Sequence, residues 1–244
     1  MSTMTPPLPV QATAPVAAPT PVPPVTPYIV VNGDVRVPVH DLATFREWAR
    51  SDERPEKGRF AYLAGTLWID LSMEQGYSHN DVKAEIDGVL RALIRQTQTG
   101  RTFADGMLLT VPPTDFSTVP DGMFVLFTTL RAGRVTQIPN RNQVGVVELE
   151  GVPDMVLEVV SDSSVEKDTV RLLGLYHAAG IPEFWLVDAR NDLRFEIYRC
   201  TSGGYVPTRQ PDGWWRSDVF GRDFLLTAAP DLMGQPWFAL QHRP

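Results

Sequence analysis

The run Met155 to Val160, MVLEVV, constrains this fold more than any other stretch of the chain. A short, valine-rich apolar run reads as a strand covered on both faces, yet Glu158 stands in its middle. An unpaired carboxylate in such a place costs several kcal/mol or takes up a proton, so the fold must set positive charge beside it. Side chains alternate along a strand, which puts Asp154, Val156, Glu158 and Val160 on one face and Met155, Leu157 and Val159 on the other. A divalent cation is one source of that charge. Mg²⁺ takes oxygen ligands, commonly one or two carboxylates completed by water and a substrate phosphate. The second carboxylate is expected from a neighbouring strand, and Asp121, just after Pro120 at the mouth of GMFVLF, is placed to supply it.

Composition narrows the setting. With 244 residues, 43% of them hydrophobic, the chain can bury one substantial core. A formal net charge of -7 argues against a protein that coats nucleic acid non-specifically, because that affinity comes from lysines and arginines displacing counterions. An enzyme with locally clustered basic residues stays compatible. The single cysteine, Cys200, excludes an internal disulfide framework and a cysteine-rich zinc site, and fits a reducing cytoplasm. No apolar stretch is long enough to span a bilayer. Residues 1–27 are dominated by Pro, Ala, Thr and Val with no charged side chain, and read as a disordered, extended leader.

From Tyr28 the pattern becomes globular, and 28–244 reads as one domain. YIVVNGDVRVPV predicts a hairpin turning at Asn32-Gly33. Asp41 or Thr44 opens a helix that buries Leu42, Phe45 and Trp48. FAYLAGTLWIDLS predicts two strands around Ala64-Gly65. In SHNDVKAEIDGVLRALIRQ, Ser78 is the expected N-cap, and at about 100° per residue His79 falls inside the apolar arc and Lys83 at its margin, with Glu85 pointing away. A hydrogen-bonded core histidine and a snorkelling lysine explain those two positions as well as a site does. TFADGMLLTV predicts a hairpin. The stretch holding Arg131, Arg134 and Arg141 reads as a loop, either solvated or reaching a phosphate backbone. After the Glu158 strand, SSVEKDTVRLLGLYHAAG predicts a helix with Val165, Leu172, Tyr176 and Ala179 inward, Lys167 pointing well away, Asp168 bordering the arc and Ser161 or Asp162 as cap. EFWLVDA then returns as a parallel strand. The expected class is α/β in a mixed α+β form: a central mixed sheet flanked by helices.

VPDGMFV, PDMVLEVVSDSS, KD followed by LYHAAGIPEFWLVD, the histidine of YSHN and the AGTL turn together resemble the PD-(D/E)XK phosphodiesterase superfamily, and within it the Uma-type family of restriction endonucleases. The resemblance covers about 60–205 and implies a restriction-endonuclease-like fold. It also implies that Asp121 and Glu158 hold Mg²⁺, with Mn²⁺ as a substitute, and that a lysine two residues beyond the glutamate activates water. That lysine position falls on Val160. The Uma-type branch shares this departure and uses a basic residue on the next helix, whose usual place here is Leu172. Lys167 and Lys83 stand equal as replacements. The implied activity is Mg²⁺-dependent endonucleolytic hydrolysis of nucleic acid, DNA first, by a homodimer, with catalytic residues Asp121, Glu158, Lys167, Lys83 and His79. The alternative is a catalytically silent nucleic-acid-binding or assembly module, and a weaker third reading is a hydrolase of another phosphate ester.

Overall fold

A computed structural model describes residues 28–31, 35–38, 40–140, 142 and 144–244. The leader, the Asn32-Gly33 turn and Arg141 lie outside the described residues. Strands Tyr28–Val31 and Val35–Pro38 pair antiparallel, as the hairpin reading requires. Asp41 caps the helix Leu42–Ala49 in a capping box: its Oδ1 accepts from the Thr44 amide at 2.8 Å, and Thr44 Oγ1 accepts from the Asp41 amide at 3.3 Å. Leu42, Phe45 and Trp48 pack on Phe60, Tyr62 and Leu108. The strands Arg59–Leu63 and Thr66–Asp70 are joined by Ala64 (φ 46°) and Gly65 (φ 80°), a two-residue turn with both central residues left-handed.

Two six-stranded sheets form the body. The first is ordered Thr66–Asp70, Arg59–Leu63, Phe116–Thr118, Leu108–Val111, Val146–Gly151, Val135–Pro139. The second is ordered Gly204–Pro207, Arg194–Thr201, Glu183–Asp188, Met155–Val159, Gly122–Leu126, Gly100–Ala104. Met155–Val159 is parallel to Glu183–Asp188 and antiparallel to Gly122–Leu126, so this sheet is mixed, and all five residues of Met155–Val159 are buried. One face, Met155, Leu157 and Val159, packs under the helix Val82–Thr97 and the C-terminal sheet (Trp215–Ser217, Arg222–Pro230, Pro236–Arg243). The other face, Val156, Val160, Phe184 and Leu186, meets Leu172 and Tyr176 of the helix Leu172–Ala178 and Leu109, Phe116 and Leu149 of the first sheet.

Several expectations are overturned. TFADGMLLTV is not a hairpin: Gly100–Ala104 pairs with Gly122–Leu126, whereas Leu108–Val111 pairs with Phe116–Thr118 and Val146–Gly151 in the other sheet. Turn chemistry at Asp105-Gly106 bends the chain, but the choice of partner follows the longer buried surfaces available elsewhere. The arginine-rich stretch is not a plain loop: Arg131 ends the helix Phe127–Arg131, and Arg134 leads into the strand Val135–Pro139. Ser78 is not an N-cap; a π-helical turn, Gly76–Asp81, starts earlier, with Gln75 at its cap, and Ser78 Oγ donates to Gln75 Oε1 at 2.5 Å. Glu85 does not point to solvent but accepts the Leu240 amide at 2.8 Å.

The largest correction concerns Lys167–Arg171, also a π-turn, in which the Leu172 amide reaches back to the Lys167 carbonyl. An extra residue in the turn rotates side chains away from the 100° wheel. Val165 is therefore exposed and Lys167 buried, the reverse of the expectation. Neither Ser161 nor Asp162 caps this helix: its N-cap is Glu166, whose side chain makes no capping bond, and exposed Asp162 instead accepts from Gln75 Nε2.

Candidate active site

The antiparallel register pairs Leu157 with Gly122, so the next step brings Glu158 opposite Asp121. Directly opposed residues share a face, with Cβ atoms about 5 Å apart. Asp121 Oδ2 accepts the Val159 amide at 2.8 Å, which locks it against the glutamate strand. Its Oδ1 lies 3.4 Å from Lys83 Nζ and its Oδ2 3.6 Å from His79 Nε2. Burial raises the Asp121 carboxyl, but the His79 ring, the Lys83 ammonium and the Val159 amide outweigh it and hold it at about 2.

Glu158 is in the opposite state. Burial pushes its carboxyl well above the ordinary range, Asp168 and Asp121 push the same way, and Lys167 and the Tyr176 hydroxyl only partly oppose them. Tyr176 donates to Glu158 Oε1 at 2.5 Å. Lys167 Nζ is 3.9 Å from Glu158 Oε2 and 2.5 Å from Asp168 Oδ1. Asp168, also buried, is raised by burial. The π-turn thus brings an ammonium to the face where Val160 leaves none.

The helix Val82–Thr97 supplies the other half. Lys83 Nζ contacts Glu74 Oε2 at 3.0 Å and Asp105 Oδ2 at 2.8 Å as well as Asp121. Glu74 also pairs with Arg59, and its Oε2 is 3.3 Å from His79 Nδ1. The π-turn at Gly76–Asp81 sinks His79 to 1% exposure, and among the described residues its Nε2 makes no hydrogen bond within 3.5 Å, Asp121 Oδ2 lying at 3.6 Å.

Asp121, Glu158, Lys167, Lys83 and His79 therefore converge. Glu74, Arg59, Asp105 and Tyr176 join them and were not expected. Tyr176 had a usable signal, its inward position on the helix. Glu74 had none, because the segment before the π-turn has no periodicity. Asp154 lies elsewhere: it accepts the Leu126 amide at 2.7 Å and Thr129 Oγ1 at 2.9 Å, and so anchors the helix Phe127–Arg131.

The donor set suits a hard cation. Asp121, Glu158 and Asp168 are all buried, and burial drives two of the three toward their neutral forms, so positive charge is in deficit. Among the described residues no group of three or more His, Cys, Asp or Glu is arranged to hold a metal ion, so any ion here would rest on fewer protein ligands. Two carboxylates on one face meet the ordinary protein share of a Mg²⁺ site.

Comparison with known proteins bears on the same residues. The family model "Uma2: Putative restriction endonuclease" matches residues 42–229. A crystal structure described as a putative nuclease belonging to DUF820, from Anabaena variabilis, shares the fold with a TM-score of 0.55 and 20% identity, over 75% of this chain and 91% of that one. A search of curated proteins found no match. No helix among the described residues is long and apolar enough to cross a membrane. With the family match running through both sheets and the whole cluster of buried acids, the chain belongs to the Uma2 family of putative restriction endonucleases.

Proposed function

We propose that the protein is a Mg²⁺-dependent endonuclease that hydrolyses phosphodiester bonds, with DNA as substrate and Mn²⁺ as an acceptable substitute. The observation that carries this reading is the ammonium of Lys167, 3.9 Å from Glu158 Oε2, beside a carboxylate that stands opposite Asp121. Asp121 and Glu158 would hold the ion. When bound, Mg²⁺ supplies the charge that polarises a phosphate oxygen and acidifies water.

The chain's own groups divide the remaining work. Asp121, held ionised, is a fixed anionic ligand. Tyr176 orients Glu158 through its hydroxyl. Lys167 orients the attacking water or neutralises charge developing on the phosphate. Lys83, shared among Glu74, Asp105 and Asp121, is a positioning residue that sets Asp121. His79 packs beside it with Nε2 3.6 Å from Asp121 Oδ2.

Incubation of supercoiled plasmid with Mg²⁺ or Mn²⁺ tests the assignment. Wild-type protein is expected to nick it, and Asp121→Asn, Glu158→Gln and Lys167→Met to leave it intact; nicking that persists in all three variants rejects the site. A second reading, the silent nucleic-acid-binding module, draws on the fact that Tyr176 and Lys167 both partner Glu158, as they would in a purely structural buried pair. Duplex binding with no cleavage under either ion supports it. The nuclease reading includes a homodimer on duplex DNA, which light scattering of the complex checks; one chain per duplex removes that part.

A further inference from the structure

Arg54 presents the same problem that Glu158 does, with the sign reversed. It is half-buried, yet among the described residues its guanidinium makes no hydrogen bond or ion pair, and burial lowers its pKa with only the charge of Asp105 in opposition. Asp105 makes its ion pair with Lys83, through Oδ2 at 2.8 Å, and not with Arg54. Buried cations are ordinarily paired. The arginines around it are: Arg46 with Glu148 and Glu150, Arg50 with Glu148, Arg59 with Glu74.

Arg54 lines a cavity of about 450 Å³ together with Arg50, Ser51 and Gly106. Arg50 is fixed there through Nε, which lies 3.4 Å from Glu148 Oε2 and donates to the Arg46 carbonyl at 3.1 Å. The lining also includes Asp52 and Glu56, both exposed residues whose charge water screens more than that of half-buried Arg54. The cavity adjoins the candidate active site: Gly106 follows Asp105, which holds Lys83, which in turn lies 3.4 Å from Asp121.

We propose that this cavity is a phosphate-group site in which Arg54, with Arg50 beside it, binds a phosphodiester of the nucleic-acid backbone next to the scissile one. The inference rests on the nuclease reading for the source of the phosphate, although the cavity's anion chemistry stands without it. A planar guanidinium binds two phosphate oxygens at once, which a lysine does not reproduce. A contact to a flanking phosphate sets register along the strand and carries no sequence preference.

Phenylglyoxal labelling of the wild-type full chain, read at Arg54 by peptide mass spectrometry, tests this without any variant. Labelling is compared alone, with inorganic phosphate, and with a duplex oligonucleotide in Ca²⁺; plasmid cleavage in Mg²⁺ and Mn²⁺ is scored in parallel. Both phosphate and duplex are expected to slow labelling at Arg54. Arg54→Ala is expected to flatten the dependence of log duplex affinity on log salt by about 1, with Arg91→Ala unchanged. Labelling unaffected by either ligand overturns the site. Protection by phosphate but not by duplex overturns its assignment to the nucleic-acid backbone. Cleavage by a protein whose Arg54 is unprotected sinks the subsite alone, whereas phosphate protection without cleavage in either metal sinks the nuclease reading alone.

Discussion

Replacing Glu183 by Gln should remove a defined segment of the pH dependence of stability. Glu183 begins the strand Glu183–Asp188 and is 1% exposed. One oxygen accepts Trp185 Nε1 and Ser217 Oγ, both at 2.6 Å; the other accepts the amides of Asp218 at 3.0 Å and Val219 at 3.3 Å. It therefore ties the C-terminal sheet's first turn to the central sheet. Burial is the larger effect and raises the carboxyl from 4.5 to about 6, against those four donors. The folded state then binds more protons than the unfolded state between those two values, so stability falls as pH rises through that window. The difference is worth about 2 kcal/mol. A glutamine in this place cannot titrate. It also turns its amide toward the Ser217–Trp185 side and forfeits about one hydrogen bond, roughly 1 kcal/mol at every pH. Urea unfolding of both proteins between pH 4.5 and 7.5 should show wild type ahead near pH 4.5 and the gap closing or inverting by pH 7. Asp121 does not confuse the test, because its depressed carboxyl loses stability only as pH falls through about 3.8 toward 2. A gap that stays constant from pH 4.5 to 7.5 would refute the argument that desolvation outweighs the four donors.

Tyr176→Phe keeps the ring's packing on Phe116 and Phe184 but deletes the donor to Glu158; it should lower stability by about 1.5–3 kcal/mol and reduce plasmid nicking in folded protein, and an unchanged denaturation midpoint would count against the bond. Gly151→Ala should cost about 3 kcal/mol or more, since Gly151 has φ 122° and an added Cβ would lie 2.1 Å from the Arg134 carbonyl oxygen; a soluble variant with native stability in urea would contradict that geometry. Asp154→Ala should cost about 2–3 kcal/mol by leaving the Leu126 amide and the Thr129 hydroxyl proton without their acceptor, with faster hydrogen exchange at Leu126 as the local signature; unchanged exchange there would argue that the helix Phe127–Arg131 is anchored otherwise.

Much of the fold was legible wherever a local pattern and its burial agree. The buried strand around Glu158, the parallel return through EFWLVD and the capping of the first helix by Asp41 each follow from short-range rules: period-two alternation, a crossover between parallel neighbours, a side chain satisfying free amides. The approach of Asp121 to the Glu158 strand, where its Oδ2 accepts the Val159 amide, was also within reach, because adjacent strands bring equivalent steps of the pleat together. The hairpin expected at Asp105-Gly106 was not, since two turn residues cannot tell a chain whether its flanks will pair with each other or with two different sheets.

By itself, then, the sequence determined a buried strand with Glu158 in a dry interior short of positive charge, and put Asp121 at the mouth of another strand as the candidate second acid. Tertiary structure decided which cations answer them. Lys167 points away on an ideal helical wheel and reaches Glu158 only because a π-turn rotates it inward, whereas His79 and Lys83, already inward and at the margin of the wheel, meet Asp121 only because the fold packs their helix against its strand. A one-residue change in helical repeat leaves no mark in composition or periodicity, as its stability comes from the contacts it creates across the fold.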